Sequence, residues 1–165
     1  MQQNLQQVEK DIKQHRAEII DRLVNFALND VLLFWSSDKE VKKEQQEKWL
    51  PILRWVDETL NARFKQTTSL EPEKSDKKAI NELKKYLDGL SDKELTSFYI
   101  AALNMRSVLL AVALIKGHIN ATEAFELSEL EELYQARKWG SEPVAEARRN
   151  SIKDSLISAE KYLYQ

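Results

Sequence analysis

The sequence contains no cysteine, only two histidines, and only three glycines and three prolines among its 165 residues. The absence of cysteine excludes a disulfide framework, a thiolate nucleophile and a cysteine-based metal site. Because turn-forming residues are so few, the elements must be long, which favours helices over many short strands. Hydrophobic residues make up 42% of the chain and charged residues 32%, a composition typical of soluble globular proteins.

The sequence also lacks a marked excess of charge and a long apolar run. Its 25 basic and 27 acidic residues leave a net charge of −2, so neither nucleic acid nor an anionic membrane is an expected partner. The longest apolar run, residues 108–115, is too short for membrane insertion. The polar first residues resemble neither a signal peptide nor a transit peptide. We expect a cytoplasmic bacterial protein, with the mitochondrial matrix as the alternative location.

Motifs of catalytic and cofactor sites are missing as well. His15 and His118 lie in no metal-binding helix motif, and the chain has no phosphate-binding loop, nucleophile elbow or dinucleotide fingerprint. Most carboxylates fall on the polar faces of predicted amphipathic helices, where solvation explains them. We therefore expect no enzymatic activity, no cofactor, no metal and no small-molecule substrate.

Apolar residues recur every three or four positions along most of the chain, which predicts an all-α bundle of about six helices. Capping boxes at Ser91 and Asn120 mark two of the helix starts, and Pro51 should kink its helix or begin a new one. The helix over about 92–116 is apolar nearly all round, so we expect it at the centre. The predicted helices cover residues 6–27, 39–64, 75–89, 92–116, 120–140 and 143 onwards.

Four segments of the sequence resemble a known family. They are Asn-Asp-Val-Leu-Leu-Phe-Trp at 29–35, Gln46 with Trp-Leu-Pro-Ile-Leu-Arg-Trp at 49–55, Arg-Ser-Val-Leu-Leu-Ala-Val-Ala-Leu at 106–114, and Leu-Glu-Glu-Leu-Tyr-Gln-x-x-Lys-Trp-Gly at 130–140. In this order they resemble the helical domain of the ATP synthase assembly chaperones of mitochondria and alphaproteobacteria. The resemblance implies that the chain binds the unassembled alpha subunit of the catalytic head. It would shield the surface that the beta subunit later occupies.

The resemblance covers about residues 16–152 and has departures. The family's Cys-Tyr-Arg is Leu33-Phe34-Trp35 here, and Leu50 replaces the acid of its Trp-Asp-Pro. We expect residues 16–165 to form a single helical domain like the family's C-terminal domain, and residues 1–15 to be a polar extension of the first helix. The family's N-terminal β-rich domain is expected to be absent.

Two charged residues, Arg106 and Glu131, lie in segments that carry the resemblance. Arg106, where the family has lysine, lies in the most apolar helix; it either needs a buried partner or faces solvent. Glu131 follows Leu127 by four residues, which places it on an apolar face or at the rim of the core. We hypothesise that Arg106 and Glu131 pair at the helix interface.

The resemblance also implies which positions bind the client or are critical for function. They are Asp30, Trp49, Glu131, Glu132, Tyr134, Gln135, Trp139 and Gly140.

A second function fits the same residues. Every feature except the resemblance is equally typical of a generic helical adaptor or oligomerisation module with no role in ATP synthase assembly. Association with the ATP synthase alpha subunit separates the two hypotheses.

Overall fold

The computed structural model describes residues 4–66 and 77–165, and every regular element in these ranges is helical. The all-α prediction is thus confirmed. Two short 3-10 turns, Ala27–Asn29 and Val31–Leu33, connect the second and third helices. The described α-helices are α1 (Leu5–Gln14), α2 (Arg16–Phe26), α3 (Lys39–Leu60), α4 (Lys77–Asp88), α5 (Asp92–Met105), α6 (Val108–Ile115), α7 (Ala121–Ser128), α8 (Leu130–Trp139) and α9 (Pro143–Tyr162).

The apolar stretch predicted for the centre does lie there. Residues 108–114 of α6 are all buried, and α6 packs against α2, α3, α5 and α7. Helix α5 supplies the other half of the centre and packs against α1, α6 and α9. Each fully buried leucine or valine of α6 contributes about 1.5–3 kcal/mol through removal of apolar surface from water. Helices α5 and α6 therefore form the centre of the core.

Three stretches predicted as single helices are each two helices, which raises the count from about six to nine in the described ranges. The breaks fall at His15, at Arg106 and at Glu129. Arg106 has a φ of 56°, in the left-handed region, and Ser107 then caps α6 by accepting a hydrogen bond of 3.0 Å from Leu110 N–H. The apolar stretch 92–116 therefore changes direction at its middle.

Residues 5–14 form a helix separate from α2. Asn4 caps α1 by accepting a hydrogen bond from the Gln7 N–H, and His15 separates α1 from α2. Ile12 is buried, and α1 packs against α5. Residues 5–14 are therefore a separate helix of the bundle.

Helix boundaries follow local chemistry where the sequence carries strong signals. Both capping boxes form, since Ser91 and Glu94, like Asn120 and Glu123, exchange reciprocal hydrogen bonds. Helix α3 runs through Pro51 without ending and stops before Asn61, whose φ of 56° suits an asparagine at a helix C-terminus. The predicted start of the helix over 75–89 lies outside the described residues. No helix in the described ranges is long and apolar enough to cross a membrane.

Candidate functional site

Most positions of the Leu-Glu-Glu motif lie on the surface of α8. Glu131, Glu132 and Gln135 are exposed, and Tyr134 is half-buried against the bundle. At the end of the helix, the Trp139 side chain is 75% exposed. Lys138 Nζ lies 5.4 Å from the centre of the Trp139 ring. The outer face of α8 thus presents carboxylates, an amide and a large aromatic ring to solvent.

The other side of α8 is attached to α3 by polar contacts. The Tyr134 hydroxyl donates a hydrogen bond to Glu40 Oε2, which raises the pKa of Tyr134 because ionisation would lose that bond. Arg137 Nη2 lies 3.0 and 3.1 Å from the two carboxylate oxygens of Glu44. Lys138 Nζ adds a contact of 3.8 Å to Glu40. These contacts fix the side of α8 that faces α3 and leave its outer face free of them.

Two further exposed features flank the turn that joins α8 to α9. Gly140 ends α8 with φ 86° and ψ 169°, a conformation open to glycine and strained for residues with a side chain. Val144, at the start of α9, is 81% exposed. Trp139 therefore precedes the turn and Val144 follows it, and both expose a large apolar side chain to solvent.

Asp30 is completely buried and connects two elements. Its Oδ1 accepts hydrogen bonds from Leu32 N–H at 3.0 Å and from the Ser107 hydroxyl at 2.7 Å, and its Oδ2 accepts one from Leu109 N–H at 2.9 Å. Burial raises the pKa of Asp30 to about 6, although these hydrogen bonds act to lower it. The structure brings Asp30 and Ser107, from two separate sequence segments, together at the N-terminus of α6. Asp30 therefore connects elements within the bundle.

Trp49 is also internal. Its side chain is buried, and its indole Nε1–H donates a hydrogen bond of 2.8 Å to the Leu127 carbonyl oxygen. Leu127 lies near the C-terminal end of α7, where backbone carbonyls have no partner within the helix. Trp49 thus ties α3 to the end of α7, close to the start of α8.

The hypothesised pair of Arg106 and Glu131 is not formed. Both residues are exposed, and no ion pair within residues 4–66 and 77–165 joins them. Arg106 occupies the left-handed position at the bend between α5 and α6, which corresponds to the solvent-facing alternative. The apolar face assigned to Glu131 assumed one continuous helix. The break at Glu129 interrupts that helix, so the assumed spacing does not hold.

The buried acid of this region is Glu129, which the sequence reasoning missed. Its carboxylate is buried, and Arg148 of α9 holds it with contacts of 2.8 and 3.4 Å. Glu129 follows the buried Phe125 by four residues, the helical spacing that could have identified it. This pair connects the junction of α7 and α8 to α9.

An open cleft of about 430 Å³ lies between α3, α7, α8 and the start of α9. The buried Arg149 reaches it, and its Nη2 donates a hydrogen bond of 2.7 Å to Ser141 Oγ. Across the described ranges, no three histidine, cysteine or carboxylate side chains are grouped so that they could hold a metal ion. The cleft is lined by Glu44, Lys48, Glu126, Leu130, Leu133, Ala136, Arg137, Ser141 and Arg149.

Comparisons with known proteins agree with the resemblance seen in the sequence. A family model described as the ATP12 chaperone protein matches residues 2–57. The mitochondrial protein atp12 of Schizosaccharomyces pombe is 24% identical over 161 residues, which cover 90% of this chain and 55% of that protein. The chain therefore spans about half the length of this curated relative.

Solved structures show the same fold. The crystal structure of Atp12 from Paracoccus denitrificans superposes with a TM-score of 0.90 at 24% identity, covering 95% of this chain and 68% of the other. A protein described as a putative chaperone from Agrobacterium tumefaciens superposes with a TM-score of 0.84 at 23% identity, covering 92% of this chain and 57% of that one. At these identities the structural likeness shows the fold alone.

Proposed function

We propose that this chain belongs to the ATP12 chaperone family, whose model matches residues 2–57, and that it assists assembly of the ATP synthase catalytic head by binding the unassembled alpha subunit. Bound there, it would shield the surface that later faces the beta subunit. The proposal rests on the family match and on the four sequence segments that resemble this family. The relatives include a mitochondrial and a bacterial protein, so we propose the bacterial cytoplasm as location, with the mitochondrial matrix as the alternative.

The observation that best supports a binding role is the exposed Trp139 at the end of α8. Tryptophan contributes disproportionately to protein interfaces because its large rigid ring buries much surface at little entropic cost. We propose that the client contacts Trp139 and the outer face of α8, formed by Glu131, Glu132 and Gln135, with Tyr134 at its edge and Gly140 setting the turn.

Asp30 and Trp49 have a different role in this proposal. Both are buried and hydrogen-bonded within the bundle, so neither presents a surface to a client. Asp30 fixes the start of α6, and Trp49 fixes the end of α7 next to α8. We propose that they support function by positioning, and that binding needs no catalysis, cofactor or metal.

The test is suppression of aggregation of isolated alpha subunit, measured by light scattering without nucleotide. Excess chain should suppress scattering, and Trp139→Ala should weaken the effect. Tyr164→Ala is the matched control, since Tyr164 is an aromatic residue that is 76% exposed at the other end of α9.

Atp12 from Paracoccus denitrificans, measured in parallel, shows whether the assay responds to a longer relative. If that protein suppresses aggregation and this chain does not, even in excess, the proposal is wrong for this chain. The generic helical adaptor then becomes the better hypothesis. If both variants act like the unmodified chain, Trp139 is not a client contact.

A further inference from the structure

Arg149 is a buried cation without a carboxylate partner among residues 4–66 and 77–165. Its side chain lies in the second turn of α9, and the residue is only 7% exposed. Its guanidinium carries five N–H donors, yet the bond to Ser141 Oγ is its single hydrogen bond within residues 4–66 and 77–165. No carboxylate in these ranges lies within ion-pair distance of it. A buried charge is normally paired, because burial removes its hydration.

The neighbouring residue shows the usual arrangement. Arg148 is 46% exposed, yet it holds the buried carboxylate of Glu129 with two contacts. The more exposed arginine of the two therefore pairs with an acid, and the more buried one pairs with none in the described part of the chain. Arg149 instead reaches the cleft that α8 borders. An arginine in this position is available for an acid that residues 4–66 and 77–165 do not supply.

The walls of the cleft suit a carboxylate carried by a protein. Leu130, Leu133 and Ala136 provide an apolar side along α8. Two other cations line the cleft, but both contact Glu44: Arg137 at 3.0 Å and Lys48 at 3.7 Å. The remaining acid, Glu126, is exposed and forms no ion pair in the described part of the chain. Three cations against two acids leave a local excess of positive charge, centred on Arg149.

We propose that this cleft binds the carboxylate of an aspartate or glutamate side chain of the client protein. Arg149 would hold the carboxylate through two parallel N–H···O bonds, the geometry that a guanidinium favours. Apolar side chains flanking the acid would lie against Leu130, Leu133 and Ala136. The inference relies on the proposed function only in that the ligand is a protein segment; it does not require that protein to be the alpha subunit.

The test uses a capped tripeptide, acetyl-Leu-Glu-Leu-amide, and its neutral match, acetyl-Leu-Gln-Leu-amide. Binding to the full chain is followed by NMR through the Nε–H signal of Arg149. The glutamate peptide should shift this signal in a saturable way and bind about tenfold more tightly than the glutamine peptide, the ratio expected for one charge-assisted contact.

Variants locate the effect. Arg149→Met keeps the apolar stem and should abolish the preference for glutamate over glutamine, whereas Arg149→Lys should retain part of it, because lysine keeps the charge without the planar fork. Arg22→Met, which removes an exposed arginine of α2, is the control and should change nothing. Glu126→Gln should strengthen binding of the glutamate peptide by removing a nearby negative charge.

Three results would overturn the inference: no saturable shift of the Arg149 Nε–H signal, equal binding of the two peptides, or binding of inorganic phosphate at Arg149 without binding of the glutamate peptide.

The proposed function is judged separately, from binding of the alpha subunit. If the peptide binds and the alpha subunit does not, the inference stands and the functional proposal fails. If the alpha subunit binds equally well to the unmodified chain and to Arg149→Met, and the peptide does not bind, the functional proposal stands and the inference fails.

Discussion

Asp30 should make the stability of this protein depend on pH in an unusual direction. Most buried carboxylates that accept several hydrogen bonds have lowered pKa values, and they destabilise the fold when protonated in acid. For Asp30 the cost of burial is larger than the gain from its three hydrogen bonds, and its pKa rises from 3.8 to about 6. The folded protein therefore binds a proton more tightly than the unfolded chain does.

The sign and size follow from this difference. Because the folded-state pKa is raised, the stabilisation is complete below the unfolded pKa of 3.8 and is lost as the pH rises through about 6. A rise of this size corresponds to about 3 kcal/mol, at about 1.4 kcal/mol per pKa unit.

The variant Asp30→Asn removes the titration of this side chain. Asparagine keeps an acceptor for the Ser107 hydroxyl, but its amide group would face the Leu109 N–H, donor against donor, at a cost of about 1–3 kcal/mol.

The measurement is the free energy of unfolding in urea, for the unmodified chain and Asp30→Asn, from about pH 4 to about pH 7.5. Other groups titrate in both proteins and cancel in the difference. The variant should be less stable by about 1–3 kcal/mol near pH 4. This deficit should disappear or reverse by about pH 7.5, because the unmodified chain loses about 2 kcal/mol over that range. A difference that stays constant would refute a raised pKa, and a deficit that grows would show that hydrogen bonding outweighs burial. The carbon-13 NMR signal of the Asp30 carboxyl group, followed as a function of pH, reports its pKa directly. Ser107→Ala should raise this pKa because it removes a hydrogen bond to the carboxylate.

Three further predictions concern the surroundings of α8. Arg148→Met leaves the buried Glu129 without its cation and should lower the free energy of unfolding in urea by about 2 kcal/mol; a loss as small as that of an exposed ion pair would show that the contact contributes little. Trp49→Phe keeps most of the buried ring but leaves the Leu127 carbonyl without its donor, so we expect a loss of about 1–3 kcal/mol in the same assay, with no loss arguing against this hydrogen bond. Glu131→Ala should change stability by less than about 0.5 kcal/mol because Glu131 is exposed. Loss of alpha-subunit binding in that variant, with an unchanged melting temperature, would assign Glu131 to the client surface; a large fall in melting temperature would contradict its exposed position.

Local signals in the sequence were sufficient for much of the fold. The capping boxes at Ser91 and Asn120 form as predicted, because each depends on atoms three residues apart. The apolar stretch around residues 108–114 is buried as predicted, because no surface position suits a helix that is apolar on every side. The all-α class, two capped helix starts and the location of the core could therefore be predicted from the sequence.

The breaks within helices could not be predicted in the same way. Arg106 is an ordinary helix-forming residue, and the bend there is supported by Asp30, which lies 77 residues before Ser107 and bonds to it. A partner so distant along the chain leaves no periodic signal near the bend. A distant partner is also involved at the start of α8. The helix breaks at Glu129, which leaves Glu131 exposed, and the buried carboxylate of Glu129 is held by Arg148 of α9.

The resemblance to the chaperone family identified the exposed residues of α8 as candidates, but only the structure shows how they are arranged. Helical spacing alone assigned an apolar face to Glu131, and it did not show that Trp139 is exposed. Arg149 gave no signal either, since an arginine on the last helix is ordinarily solvated. Only the packing of α9 against its neighbours shows that this arginine is enclosed.

Gly140 has a consequence for the chirality that this position accepts. A Cβ atom built on Gly140 meets no atom within 4 Å apart from those of Gly140 and its two chain neighbours, so space does not require glycine here. The requirement comes from φ alone, because 86° lies where L-residues are strained and their mirror images are relaxed. D-alanine placed at this position by chemical ligation should therefore preserve the turn after Trp139, whereas L-alanine should redirect the chain. In the Trp-Gly pair, the second residue therefore fixes the direction in which the chain leaves the first.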